Sequence, residues 1–309
     1  MIKMYNTDIN TNITEETKDL KKGNWINMIS PTEEEIQRVC AALQIKQDFI
    51  RYSLDEEEKA RIDTEDDDNT TLYIIDIPVI ESDRTRRVYV TMPIGVIFVR
   101  DDYIITVSQK NNDIIKEIKT ENVITYKKSR FLLQILYANS KKIYFSYKEL
   151  ESTENKLKNS LQNEGLLKML DLEKSLVYFT TSLKSNEVVM EKTTRGKIIK
   201  LYEEDEDLLE DAIIENKQAI EMAKIYSDIL SGTMDTYASI ISNNLNAVMK
   251  ILTSVTFILA IPTLIASIWG MNVELPFQRE PLGFLIITVF SIIMCIVATI
   301  WLKRKRMLN

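Results

Sequence analysis

Two charge-free runs near the C-terminal end constrain this chain more than any other feature. No Asp, Glu, Lys or Arg occurs from Ile251 through Val273, and none from Pro281 through Leu302. A helix rises about 1.5 Å per residue, so about 20 apolar residues cross the hydrocarbon core of a bilayer. Both runs are long enough. They predict transmembrane helices over residues 251–269 and 282–302, joined by an outer loop over 270–281. The tail, 303–309, carries Lys303, Arg304, Lys305 and Arg306. Basic residues at span ends favour the cytoplasmic side. The tail is therefore expected inside, and two spans place residues 1–250 inside as well. Met1 to Thr7 lack the apolar stretch of a signal peptide. The expectation is a multi-pass protein of the cell membrane with both termini cytoplasmic.

Composition then narrows the chemistry. The 309 residues include no histidine and only two cysteines, Cys40 and Cys295. Imidazole ligands, Ser-His-Asp catalysis and cysteine metal clusters are excluded. Both cysteines read as small buried hydrophobes. The seven glycines form neither GxGxxG nor GxxxxGK[ST], so neither an enzyme nor an organic cofactor is expected. Any metal must be met by oxygen, which suits magnesium, calcium or manganese. The net charge of -7 argues against nucleic acid as a partner and for a surface that attracts cations.

The first 129 residues read as a cytoplasmic α/β domain with a mixed sheet flanked by helices. Residues 1–24 look polar and loose. Trp25–Ile29 reads as a strand, and Thr32 to Glu35 has capping-box form ahead of a helix to about Leu43. A short helix is expected over Gln47–Leu54, and an acidic solvated loop over Asp55–Asp68. Apolar runs predict strands at Leu72–Ile80, Val88–Thr91, Ile94–Val99 and Tyr103–Val107, with Asp101-Asp102 as a hairpin turn. Asp113–Lys119 reads as helical. Helical spacing then governs residues 130–250. One helix is expected from Phe131 to about Asn163 and another over Leu166–Lys184, with a break at Gly196. A long stalk helix then runs from about Tyr202 into the membrane.

The first span carries a second pattern. Steps of three and four from Asn246 reach Met249, Thr253, Thr256, Ala260, Thr263 and Ser267, nearly all small or polar. Such a seam keeps one helix face turned to neighbouring helices. It can line water, or it can let helices pack closely in lipid. Asn246 and Asn272 at its ends favour water. Two spans cannot enclose a pore, so a water-lining face requires several copies around a common axis. Trp269 reads mainly as an interfacial anchor. Lys250 reads as an anchor or as part of a positive collar.

The string Ser267-Ile268-Trp269-Gly270-Met271-Asn272, between two C-terminal spans, resembles the CorA family of divalent-cation channels. That resemblance implies a homopentamer that conducts hydrated Mg2+ down its electrochemical gradient. The first span would line the pore and the second would lie outside. It implies pore-lining positions at Asn246, Met249, Leu252, Ala260, Thr263, Ser267 and Asn272, to which the spacing along the helix adds Thr253 and Thr256. Met249 and Leu252 would form a hydrophobic gate, and Gly270, Met271 and Asn272 the selectivity filter. Glu274 and Glu280 in the loop would concentrate cations. Ala260 and Ser267 fall where relatives carry Met and Gly, and Trp269 where Tyr is usual. The family's intracellular sensor falls near Asp211, with Glu210 and Asp207 beside it. Its partner acid in the next subunit would be Asp83 or Glu81. Regulatory Mg2+ bound there would keep the gate closed. A solvated helix start is the plainer reading of the same acids. Zn2+, Co2+ or Ni2+ as the cargo, and a non-conducting membrane sensor or scaffold, are the alternatives.

Overall fold

The computed structural model describes residues 1–65, 69–83, 86–100, 102–120, 123–157, 163–195, 198–199, 201–273 and 281–307. The chain divides into two compact units, Met1–Gly232 and Thr233–Asn309.

The first unit is built on a seven-stranded sheet in the order β2-β1-β3-β7-β6-β5-β4. The strands are β1 (Ile2–Thr7), β2 (Thr14–Thr17), β3 (Asn24–Ile29), β4 (Arg61–Glu65), β5 (Thr70–Asp83), β6 (Arg86–Val99) and β7 (Tyr103–Ser108). β3 and β7 run parallel and the other pairs run antiparallel. Both sheet faces are covered, which is why its central strands read as continuous apolar runs rather than alternating ones. Side chains still alternate by face. Trp25, Tyr73, Ile75 and Ile77 enter one core with Phe131, Leu132 and Met190. Ile26, Leu72 and Ile74 enter the other, with Ile36, Leu43 and Phe49.

Helices α1 (Glu33–Leu43) and α2 (Gln47–Tyr52) supply that second core. The capping box predicted at α1 is present: Thr32 accepts from the Glu35 amide and Glu35 returns the bond to the Thr32 amide. Gly95 on β6 is a matter of contact, since a Cβ there would lie 1.8 Å from Ser53 Oγ at the end of α2. The other face is covered by α4 (Lys128–Leu157), α5 (Asn163–Arg195) and the start of α6 (Glu203–Trp269); α3 (Asp113–Thr120) packs beside α4.

Three sequence expectations are corrected. Residues 1–24 are not loose, because β1 and β2 lie within them and Tyr5 is buried with its ring 4.9 Å from Trp25. The acidic segment 55–68 contains the edge strand β4. Charge suits an edge, and here Arg61 pairs with Glu58 and Asp63 while Lys46 pairs with Glu65. The two strands expected around Pro93 are one, β6. Pro93 sits opposite Asp76, whose N–H and C=O both turn away to Asn186. The nitrogen of Pro93 therefore faces the side where β7 has ended at Ser108, and no ladder bond is lost. α5 also extends past the predicted limits at both ends. Gly196 and Asp101 lie outside the described residues.

The second unit holds the C-terminal part of α6 and all of α7 (Gly283–Arg304). α6 has 67 residues, about 100 Å at 1.5 Å per residue. Both helices contain windows long and apolar enough to cross a membrane, and 6% and 11% of those windows are buried within the chain. So little self-burial distinguishes them from core helices of a soluble fold.

Candidate functional site

The first span meets the second along one face only. Ser254 is buried, and Ile258, Ile261, Pro262, Ile265 and Trp269 are half-buried. On α7 the covered positions are Ile287, Ser291, Cys295, Ala298 and Leu302. The spacing of three and four on each helix makes a packed seam. The Ser254 hydroxyl donates to the Met307 carbonyl at 3.3 Å and fastens the seam at the C-terminal end of α7.

The small-residue face predicted from sequence is on the other side of α6. Asn246, Met249, Leu252, Thr253, Thr256, Ala260, Thr263 and Ser267 are all exposed. Met249 is 51% exposed and Leu252 58%, so α7 covers neither. Thr256 and Thr263 return their hydroxyls to the carbonyls of Leu252 and Leu259, at 2.9 and 3.0 Å. Each hydroxyl proton is thereby spent and the oxygen is left as an acceptor. An acceptor-rich face suits water bound to a cation.

At its C-terminal end, α6 stops after Trp269. The Gly270 amide donates to Ala266 O at 2.9 Å, and the Met271 amide to Ile268 O at 3.2 Å. A Cβ on Gly270 would lie 3.3 Å from Ala266 O, tighter than ordinary contact. Met271 and Asn272 are exposed beyond the helix end. Glu274 and Glu280 lie outside the described residues.

The acids at the start of α6 separate into two kinds. Asp205 is buried, accepts from Ser129 Oγ at 2.5 Å, and faces the Tyr202 amide at 3.4 Å. Its carboxylate reaches back to the residue before the helix, as the third residue of a capping box does. Glu204 pairs with Arg130 at 3.1 Å. Asp207, Glu210 and Asp211 are exposed, spaced to share one face of α6. Glu81, one of the two partner acids expected, is held by Lys110 at 2.8 Å within the same chain. Asp83 ends β5, with its side chain outside the described set. Among the described residues of one chain, no three acids converge as a metal cluster would.

Two features escaped the sequence reading. Cys295 was expected to be a small buried hydrophobe, yet it is half-buried and its Sγ lies 3.7 Å from the Ile258 carbonyl on α6. Pro262, four residues on, marks that carbonyl, but sequence does not say which α7 residue would face it. The second is a buried polar knot in the first unit. Asn186 and Asn139 both donate to the Asp76 carbonyl, at 2.8 and 3.0 Å, and the Asp76 amide donates to Asn186 Oδ1 at 3.0 Å. Burial pushes the Asp76 carboxyl up to about 6, against a smaller downward pull from its Ser182 hydrogen bond.

A mixed sheet with long helices and a C-terminal pair of apolar helices is the architecture of an integral membrane protein. The model of the CorA-like Mg2+ transporter family matches residues 21–304, and the chain belongs to that family. It is similar to the cobalt/magnesium transport protein CorA of Methanocaldococcus jannaschii, 30% identical over 91% of this chain and 90% of that one. The CorA of Thermotoga maritima is 32% identical over 44% of this chain and 42% of its own. The complete structure of the Methanocaldococcus jannaschii CorA magnesium transporter aligns with a TM-score of 0.80, at 26% identity, over 98% of each chain. The full-length CmaX protein shares the fold at 11% identity, with a TM-score of 0.68 over 99% of this chain and 96% of that one.

Proposed function

We propose that this protein is a magnesium channel of the cell membrane, formed by several copies around a common axis. Five copies are the number that the family resemblance implies. The observation that carries this reading is the uncovered face of α6. Its small and hydroxyl-bearing positions, Asn246 to Ser267, lie opposite the seam with α7 and have no cover within the chain.

Magnesium sheds its water reluctantly. A ring of Asn272 amides can accept hydrogen bonds from that hydration shell, so that the ion is recognised hydrated. Hydroxyl oxygens at Thr256 and Thr263 continue the acceptor face inward. Met249 and Leu252 form an apolar constriction that closes by dewetting. Glu274 and Glu280 attract cations to the outer mouth. With both termini cytoplasmic, a negative interior drives entry.

Regulatory Mg2+ fits the hard, exposed oxygens of Asp207, Glu210 and Asp211. Among the described residues one chain brings no three acids together, and the reading places a site shared with the Asp83 or Glu81 region of a neighbour. Bound metal would relieve repulsion between acids of adjacent copies and hold the gate shut.

Co2+ is the second cargo favoured, because both similar curated proteins are named cobalt/magnesium transport proteins. The test is ion flux into liposomes holding the purified protein, with a negative-inside potential and Mg2+, Co2+, Ni2+ and Zn2+ run in parallel. Mg2+ entry that collapses without the potential is expected. Entry of other cations but not Mg2+ would change the cargo, and silence for all of them would leave a non-conducting sensor.

A further inference from the structure

α6 runs through Pro262 without interruption. A proline inside a helix has no N–H for the carbonyl four residues earlier, and its ring strains that turn. The carbonyl concerned is that of Ile258. Inside a bilayer no water is at hand to satisfy it. The nearby hydroxyls of α7 are committed elsewhere: Thr288, Ser291 and Thr299 donate to Phe284, Ile287 and Cys295 on their own helix, at 2.8, 2.9 and 2.7 Å. The Cys295 thiol instead crosses to Ile258 O at 3.7 Å. Beside the proline is a groove of about 440 Å³, lined by Pro262, Ile292, Cys295, Ile296 and Thr299 among others. It leaves α6 room to bend at that point.

We propose that Cys295 is a positioning residue for transport. Its thiol holds α6 in shape at Pro262, and so aligns the inner part of the small-residue face, Asn246 to Ala260, with the outer part, Thr263 to Asn272. This rests on the reading of α6 as the pore helix. A thiol is a weak donor, so the contact is strong enough to bias one bend of the helix and weak enough to be released.

The test compares Cys295→Ala, which removes the donor, with the parent, in both the Pro262 and the Pro262→Ala backgrounds. Full-length protein in liposomes is assayed for Mg2+ flux per folded oligomer and for the ratio of Co2+ to Mg2+ flux. Cys295→Ala should change the flux several-fold and shift the ratio. In a Pro262→Ala background the helix amide is restored, and Cys295→Ala should then have little effect. Parental flux and ratio in Cys295→Ala would overturn the proposal. So would an effect that persists undiminished without the proline. A parent protein that conducts no divalent cation would remove the underlying conduction reading, and that failure appears before any variant is made.

Discussion

The Ser129 hydroxyl reaches the buried carboxylate of Asp205 across 2.5 Å, tying the first turn of α4 to the first turn of α6. This one bond divides the acidic run at residues 203–211. Asp205 belongs to the fold, while Asp207, Glu210 and Asp211 stay exposed.

Asp211→Asn should therefore leave the protein folded and weaken inhibition by internal Mg2+. Asp205→Ala should do the reverse, lowering stability by about 1–3 kcal/mol through a lost cap and an unpaired hydroxyl. Flux measured against internal Mg2+, together with thermal unfolding of each variant, separates the two. Unchanged inhibition in Asp211→Asn would remove that residue from the sensor.

Asn272→Ala removes the amide proposed to meet the hydrated ion. Selective Mg2+ flux should be lost while the oligomer stays intact on size-exclusion chromatography. Normal flux through this variant would dismiss the amide ring.

Met249→Gly should raise leak through the closed state, because a dewetted constriction depends on apolar bulk. The measurement is cation flux at saturating internal Mg2+. If leak stays at the parental level, the gate lies elsewhere on α6.

Asp76 supplies a pH dependence of stability. Burial holds its folded value at about 6, while an unfolded Asp titrates near 4. Between those values the folded state keeps a proton that the unfolded state has lost. Stability therefore falls as pH rises from about 4 to 6, and above that the cost is constant. Asp76→Asn should flatten this slope and stabilise the protein at pH 7.5 by up to about 3 kcal/mol. Unfolding midpoints across pH 4.5–7.5 provide the check, and an identical slope in parent and variant would contradict the assignment.

Much of the fold was legible because its signals are local. The capping box at Thr32 needs only four residues, and the spans need only unbroken apolar length. The polar face of α6 repeats along one helix, so its members were found without a partner. Residues 1–24 were misread because β1 and β2 bury little by themselves. Their place in the sheet depends on pairing with β3, and the ring of Tyr5 depends on Trp25. β4 was hidden by charges that suit an edge strand as well as they suit a loop.

The sequence by itself determined the two spans, the small-residue face and the lack of any imidazole, since each follows from residue type and short-range period. Only the tertiary structure decided which acid of the run is buried, which face of α6 meets α7, and that Cys295 reaches the carbonyl left open by Pro262. Those outcomes depend on the register between segments far apart in the chain. Register is set by packing over whole faces, and no local pattern encodes it.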